Sequence, residues 1–108
     1  LYCSGQIPLD PETGAMVGDG EVASETRQVL KNLNAVLEAA DATAQHVVRT
    51  TVFLADLGDF QTVNGIYAEM FGAGTSPARA CVQVAALPKG ARVEIDCVAW
   101  FGDDLKTV

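Results

Sequence analysis

Positive charge is scarce in this sequence. Its 108 residues hold seven lysines and arginines against fourteen acids, a formal net charge of −7. Arg27, Lys31, Arg49, Arg79, Lys89, Arg92 and Lys106 stand singly, so no basic face tracks a phosphate backbone or an anionic lipid surface. Nucleic acid and membrane are therefore poor partners. Histidine occurs once, at His46, and the three cysteines (Cys3, Cys81, Cys97) form no CxxC pair, so no metal site is expected. An odd cysteine count without pairing motifs fits a reduced, cytoplasmic protein. No apolar run approaches the roughly 20 residues of a membrane span. GxxxxGK[ST] is missing, and Gly72-Ala73-Gly74 lacks the third glycine of a dinucleotide loop. A Ser-His-Asp or Cys-His arrangement would have to use His46, at the start of an expected strand, where an ordinary partly exposed histidine is the simpler assignment. The first residue is Leu1 and no signal peptide is visible, so an ordered or processed portion of a longer chain is expected.

What is present is apolar. Hydrophobic residues make up 49% and charged residues 19%, as expected of one globular domain. That domain is expected over residues 1–101, followed by a polar tail, 102–108, whose Asp103-Asp104 pair reads as solvated charge. Leu1 to Ile7 reads as a short strand, and PLDPETG as a turn in which Gly14 supplies a positive φ. From about Glu21, Val22, Thr26, Val29, Leu30, Leu33, Val36, Leu37 and Ala40 form one helical stripe, with Glu25, Lys31 and Glu38 mostly off it. That helix is expected to stop at Asp41. HVVRTTVFLAD is rich in β-branched residues and reads as a strand. Asp59 is the expected N-cap of a second helix carrying Phe60, Val63, Tyr67 and Phe71 at helical spacing, and GAGTSP breaks it. Two strands follow, Ala78 to Leu87 and Arg92 to Phe101.

The order β-α-β-α-β-β predicts an α+β fold. Right-handed crossovers make the first strands parallel and put both helices on one sheet face. The other face stays uncovered although many of its residues are apolar. A soluble monomer rarely exposes such a face, so a homo-oligomer is expected.

Three features could carry chemistry. Arg79 heads an apolar strand, and Cys81 shares its face because strand side chains alternate with period two. Glu94 is an acid between Val93 and Ile95, on the face opposite to Val93, Ile95, Cys97 and Ala99. Ser4 and Gly5 are small residues where a backbone could approach a ligand closely. Each has a simpler alternative. Arg79 and Glu94 could form a structural ion pair, Cys81 could be a small buried hydrophobe, and Ser4-Gly5 a strand irregularity.

The segments SGQIPLDPETG, VLKNLNAVLEAA, VVRTTVFLADLGDFQTVNGIYAEMF, PARACVQVAALPKG and VEIDCVA closely resemble the Rid (reactive intermediate deaminase, YjgF-type) family over nearly the whole stretch from Leu1 to Ala99. The resemblance implies a chorismate-mutase-like mixed sheet, a homotrimer with pockets between subunits, and no metal or organic cofactor. It implies hydrolysis of 2-imino acids or their enamine tautomers to 2-keto acids and ammonia. Those imines escape from pyridoxal-phosphate enzymes and damage them if they persist. The family's carboxylate-binding arginine falls on Arg79 and its acid on Glu94. Asn64, Ser4, Gly5 and Cys81 match positions that line the pocket. Non-catalytic metabolite sensing, ribonuclease or translation-inhibitor activity and chaperone-like holding are also attached to this family, and the charge of −7 counts against RNA. The sequence departs from the family pattern in four places. A strand usual before SGQ is absent, Ser76 stands where an aromatic is common, the loop from Gly72 to Ser76 is short, and Asp41 replaces a common glycine after the first helix.

The chemistry suits these residues. A guanidinium holds a planar carboxylate through two parallel hydrogen bonds, where lysine offers only a point charge. That grip orients the C=N carbon towards water. A carboxyl beside it can pass protons between water and nitrogen. A simple hairpin of the last two strands would leave Glu94 about 16 Å from Arg79 along the strand at ~3.3 Å per residue. Either those strands are not neighbours or a second subunit brings the two residues together.

Overall fold

The protein is described by a computed structural model over residues 1–72, 74 and 76–102. Residues 103–108, with Asp103-Asp104 and most of the expected polar tail, lie outside the described residues, as do Ala73 and Thr75 of the GAGTSP segment. Four strands form one mixed sheet, β1 (Tyr2–Gln6), β2 (Val47–Leu54), β3 (Ala78–Gln83) and β4 (Val93–Ala99), in the order β1-β4-β2-β3. β2 runs parallel to β3, and β4 lies antiparallel between β1 and β2. The last two strands are therefore not neighbours, and the first of the two geometric alternatives holds.

Helices α1 (Val22–Ala39) and α2 (Phe60–Phe71) pack on one face of the sheet. The core between them holds Leu33 and Leu37 of α1, Val63 and Tyr67 of α2, Val52 and Leu54 of β2, and Val93 and Ile95 of β4. Each such aliphatic side chain contributes about 1.5–3 kcal/mol on leaving water. The helix ends at the expected place. Asp41 adopts φ 57°, the left-handed conformation that aspartate tolerates better than most side chains.

Four expectations need correction. Glu25 lies in the core instead of off the stripe, 2% exposed, because its Oε1 accepts the Arg92 backbone N–H at 2.8 Å. Asp59 precedes α2 but does not cap it; its carboxylate pairs with Arg92 at 2.8 Å, and Asp56 instead accepts the Gly58 N–H of the preceding 3-10 turn. His46 closes a 3-10 turn, Ala44–His46, before β2, and its Nδ1 accepts the Thr43 N–H at 3.0 Å. β3 and β4 are shorter than expected. β3 is an edge strand whose only described neighbour, β2, ends at Leu54, and the Val84 N–H to Leu54 carbonyl bond at 2.9 Å closes the ladder.

No described residue of the chain covers the other sheet face. Tyr2 is 86% exposed there, Val82 is exposed at the β3 edge, and Phe53 and Val98 are half-buried between them.

Candidate active site

Two groups of side chains correspond to the residues singled out in the sequence, and the sheet separates them. The first sits at the outer edge of the sheet, between β3 and α2. Arg79 is the register partner of Thr50 and Cys81 of Val52, and both Thr50 and Val52 face the helices. Arg79 and Cys81 therefore share the helix side, as the alternation predicts. Asn64 on α2 meets them: Arg79 Nη1 donates to Asn64 Oδ1 at 2.6 Å. The guanidinium carbon also lies over the ring of Tyr67, 4.8 Å from its centroid, and over Phe60 at 5.5 Å. Among the described residues no carboxylate pairs with Arg79, and its remaining donors are free to meet a ligand.

Arg79, Asn64 and Tyr67 open onto a cavity of about 350 Å³, with Phe71, Ser76 and Pro77 on its walls. In the sequence Tyr67 stands out only as one of the second helix's residues at helical spacing. It is 6% exposed, and its ring face also supports Arg79. The signal was available, since Phe60, Asn64 and Tyr67 recur at the i, i+4, i+7 spacing of one helix face. Burial raises the Cys81 thiol above its ordinary value, and the Arg79 charge opposes that only in part. Cys81 is thus a neutral thiol at pH 7 and no ready nucleophile. Cys97, facing Cys3 across β1 and β4, is pushed up to about 12, chiefly by burial and then by the neighbouring thiol. It is a core residue.

The second group lies on the uncovered face. Glu94 pairs in register with Phe53 and so points away from the helices. β1 is irregular beside it: Cys3 faces Cys97 and Gln6 faces Ile95, so Ser4 and Gly5 together oppose Asp96 in a bulge. A Cβ on Gly5 would run into the Glu94 carboxyl group, its Cδ at 2.8 Å and Oε2 closer still. The glycine is there for room, not for a special backbone angle. Ser4 and Gly5 are thus both a strand irregularity and neighbours of the acid.

Glu94 and Arg79 do not meet within one chain. Two strand spacings and three residues of register separate them by about 14 Å, on opposite sides of the sheet. The simple structural ion pair between them is excluded inside the protomer.

An α+β sheet with two helices on one face, an edge arginine and an acid on the bare face defines a recognisable class of small domain. Residues 1–101 match the family described as Endoribonuclease L-PSP. The chain belongs to this family, the Rid or YjgF-type proteins. It is 54% identical over 102 residues to the human 2-iminobutanoate/2-iminopropanoate deaminase, covering 94% of this chain and 73% of that protein. It is also 54% identical over 99 residues to the RutC family protein slr0709 of a Synechocystis strain, covering 92% and 76%. The crystal structure of E. coli TdcF with bound serine superposes with a TM-score of 0.84 at 40% identity, over 91% of this chain and 77% of that one.

Proposed function

We propose that this protein hydrolyses small 2-imino acids, such as 2-iminobutanoate and 2-iminopropanoate, to 2-keto acids and ammonia. The observation that carries the reading is Arg79 itself: a guanidinium at the mouth of a cavity, held by one asparagine, with no acidic partner among the described residues. Such a group suits a substrate carboxylate, held through two in-plane hydrogen bonds. Relatives named as deaminases at 52–54% identity support the same chemistry.

In the reaction, Arg79 anchors the carboxylate and Asn64 holds the guanidinium. Water adds to the C=N carbon, giving a tetrahedral aminoalcohol. Glu94 carries one proton from that water to nitrogen as the aminoalcohol forms, then carries the hydroxyl proton of the aminoalcohol to nitrogen, so that ammonia leaves as the C=O forms. Because Glu94 and Arg79 lie on opposite faces of one sheet, the site unites them only if two copies supply one each. Association through the bare face, as a homotrimer with pockets between subunits, would do this and would also bury Tyr2, Phe53 and Val98. Removing such imines as they form would protect the pyridoxal-phosphate enzymes that release them.

A second reading has one specific observation behind it. TdcF, similar in fold, holds serine, so the same pocket could bind a metabolite without turnover. One experiment separates the two: generate 2-iminobutanoate from threonine with a dehydratase and follow 2-oxobutanoate release with and without the protein. The deaminase reading expects faster release that falls about 30- to 1,000-fold in Arg79→Ala, the loss typical of removing one partner of a buried charge pair. Saturable 2-oxobutanoate binding without any acceleration would favour the sensor.

A further inference from the structure

Arg79 is exposed at a sheet edge, where a free arginine side chain would sample many rotamers. Three residues of one α2 face restrict it. Asn64 accepts one N–H, and the rings of Tyr67 and Phe60 lie beneath the guanidinium at 4.8 and 5.5 Å. A guanidinium donates hydrogen bonds in its plane, whereas an aromatic ring engages its face. The rings can therefore hold Arg79 without using the donors that a carboxylate needs.

Tyr67 is itself tied down. Its hydroxyl and Thr50 Oγ1 lie 2.7 Å apart in a buried hydrogen bond, and Thr50 is the β2 residue directly beside Arg79 in the parallel register. The ring is thus fixed to the very strand position that carries the arginine. Burial raises the Tyr67 hydroxyl above its ordinary value, only partly offset by Thr50 and Arg79. The phenol is neutral, and its attraction for Arg79 comes through the ring and not through charge.

We propose that Tyr67, locked by Thr50 and assisted by Phe60, is a positioning residue that presets the Arg79 guanidinium for a carboxylate ligand. The inference rests on the reading of Arg79 as the carboxylate anchor. Its consequence is selectivity: loss of the ring weakens carboxylate binding and leaves the rest of the ligand's contacts alone.

The test compares calorimetric binding of 2-oxobutanoate with that of its neutral amide, 2-oxobutanamide. Tyr67→Leu is expected to weaken 2-oxobutanoate about 2- to 30-fold, the range of a cation–π contact, with the amide unchanged. Tyr67→Phe keeps the ring but loses the Thr50 hydrogen bond, and is expected to restore that affinity in part. In turnover the loss appears in KM, with kcat largely kept. If Tyr67→Leu fails to fold, Phe60→Leu tests the half-buried second ring and should shift the same ratio in the same direction. Wild-type affinity for 2-oxobutanoate in the leucine variants, with binding lost in Arg79→Ala, would overturn the positioning role alone. Equal loss of both ligands would overturn it too, in favour of a general structural role. Undiminished 2-oxobutanoate binding by Arg79→Ala would instead refute the anchor reading on which the inference stands.

Discussion

Glu94 stands on an apolar strand with its carboxyl group over the bulge of β1, and the proposed hydrolysis makes it the proton carrier. Glutamine there keeps shape and hydrogen-bonding capacity but moves no proton. Glu94→Gln is expected to lower kcat by about 10²- to 10⁴-fold, the usual contribution of a general acid–base group. Calorimetric affinity for 2-oxobutanoate should hold within a small factor. A variant with unchanged kcat would remove Glu94 from the chemistry. The residue scale is also where sequence reading was strongest. Arg79 was conspicuous because the chain has so few cations, and period-two alternation put Cys81 beside it. Glu25 was misread on the same scale. A helical stripe sorts residues by polarity and cannot see that Arg92 brings a backbone donor, at 2.8 Å, to satisfy a buried carboxylate.

Among the elements, the β1 bulge lies beside the proposed acid. Ser4 and Gly5 oppose one residue of β4, and the missing side chain at Gly5 leaves the space that the Glu94 carboxyl group fills. Gly5→Ala forces a methyl into that space. Gly5 is exposed and the clash is with the end of a flexible side chain, so stability should stay within about 0.5 kcal/mol while activity falls because Glu94 is displaced. Thermal melting and 2-iminobutanoate turnover on the same sample check this; full activity would show that Glu94 has freedom to move. The elements themselves were legible from β-branched runs and helical stripes. Their limits were less so. β3 stops at Gln83 because its neighbour stops at Leu54, and that depends on which strands are neighbours. Asp59 looked like a cap but serves Arg92, a residue 33 positions away that no local window includes.

For the whole molecule, the bare sheet face and the division of Arg79 from Glu94 lead to one expectation. If each pocket takes its arginine from one copy and its acid from another, two inactive variants should complement each other. Arg79→Ala and Glu94→Gln chains, unfolded together and refolded at equal amounts, are expected to recover activity in roughly a quarter of the sites, by random assortment around a ring. Mixing without unfolding should give no recovery until subunits exchange. No recovery after co-refolding into oligomers would mean that one chain supplies both residues. Sedimentation of the wild type at the same concentration supplies the assembly state, for which a trimer is expected.

Element order, the helical and strand faces, the family, and the residues to inspect were all legible in the amino-acid sequence. These follow from local periodicity and from side-chain chemistry, which are written position by position. The folded arrangement was needed to show that β4 lies between β1 and β2, that Tyr67 supports Arg79, and that Glu94 points to the other side of the sheet. Strand neighbours, register and facing direction arise from packing distant segments together. Alternation orders the faces within one strand but says nothing of which face a second strand presents to the same core.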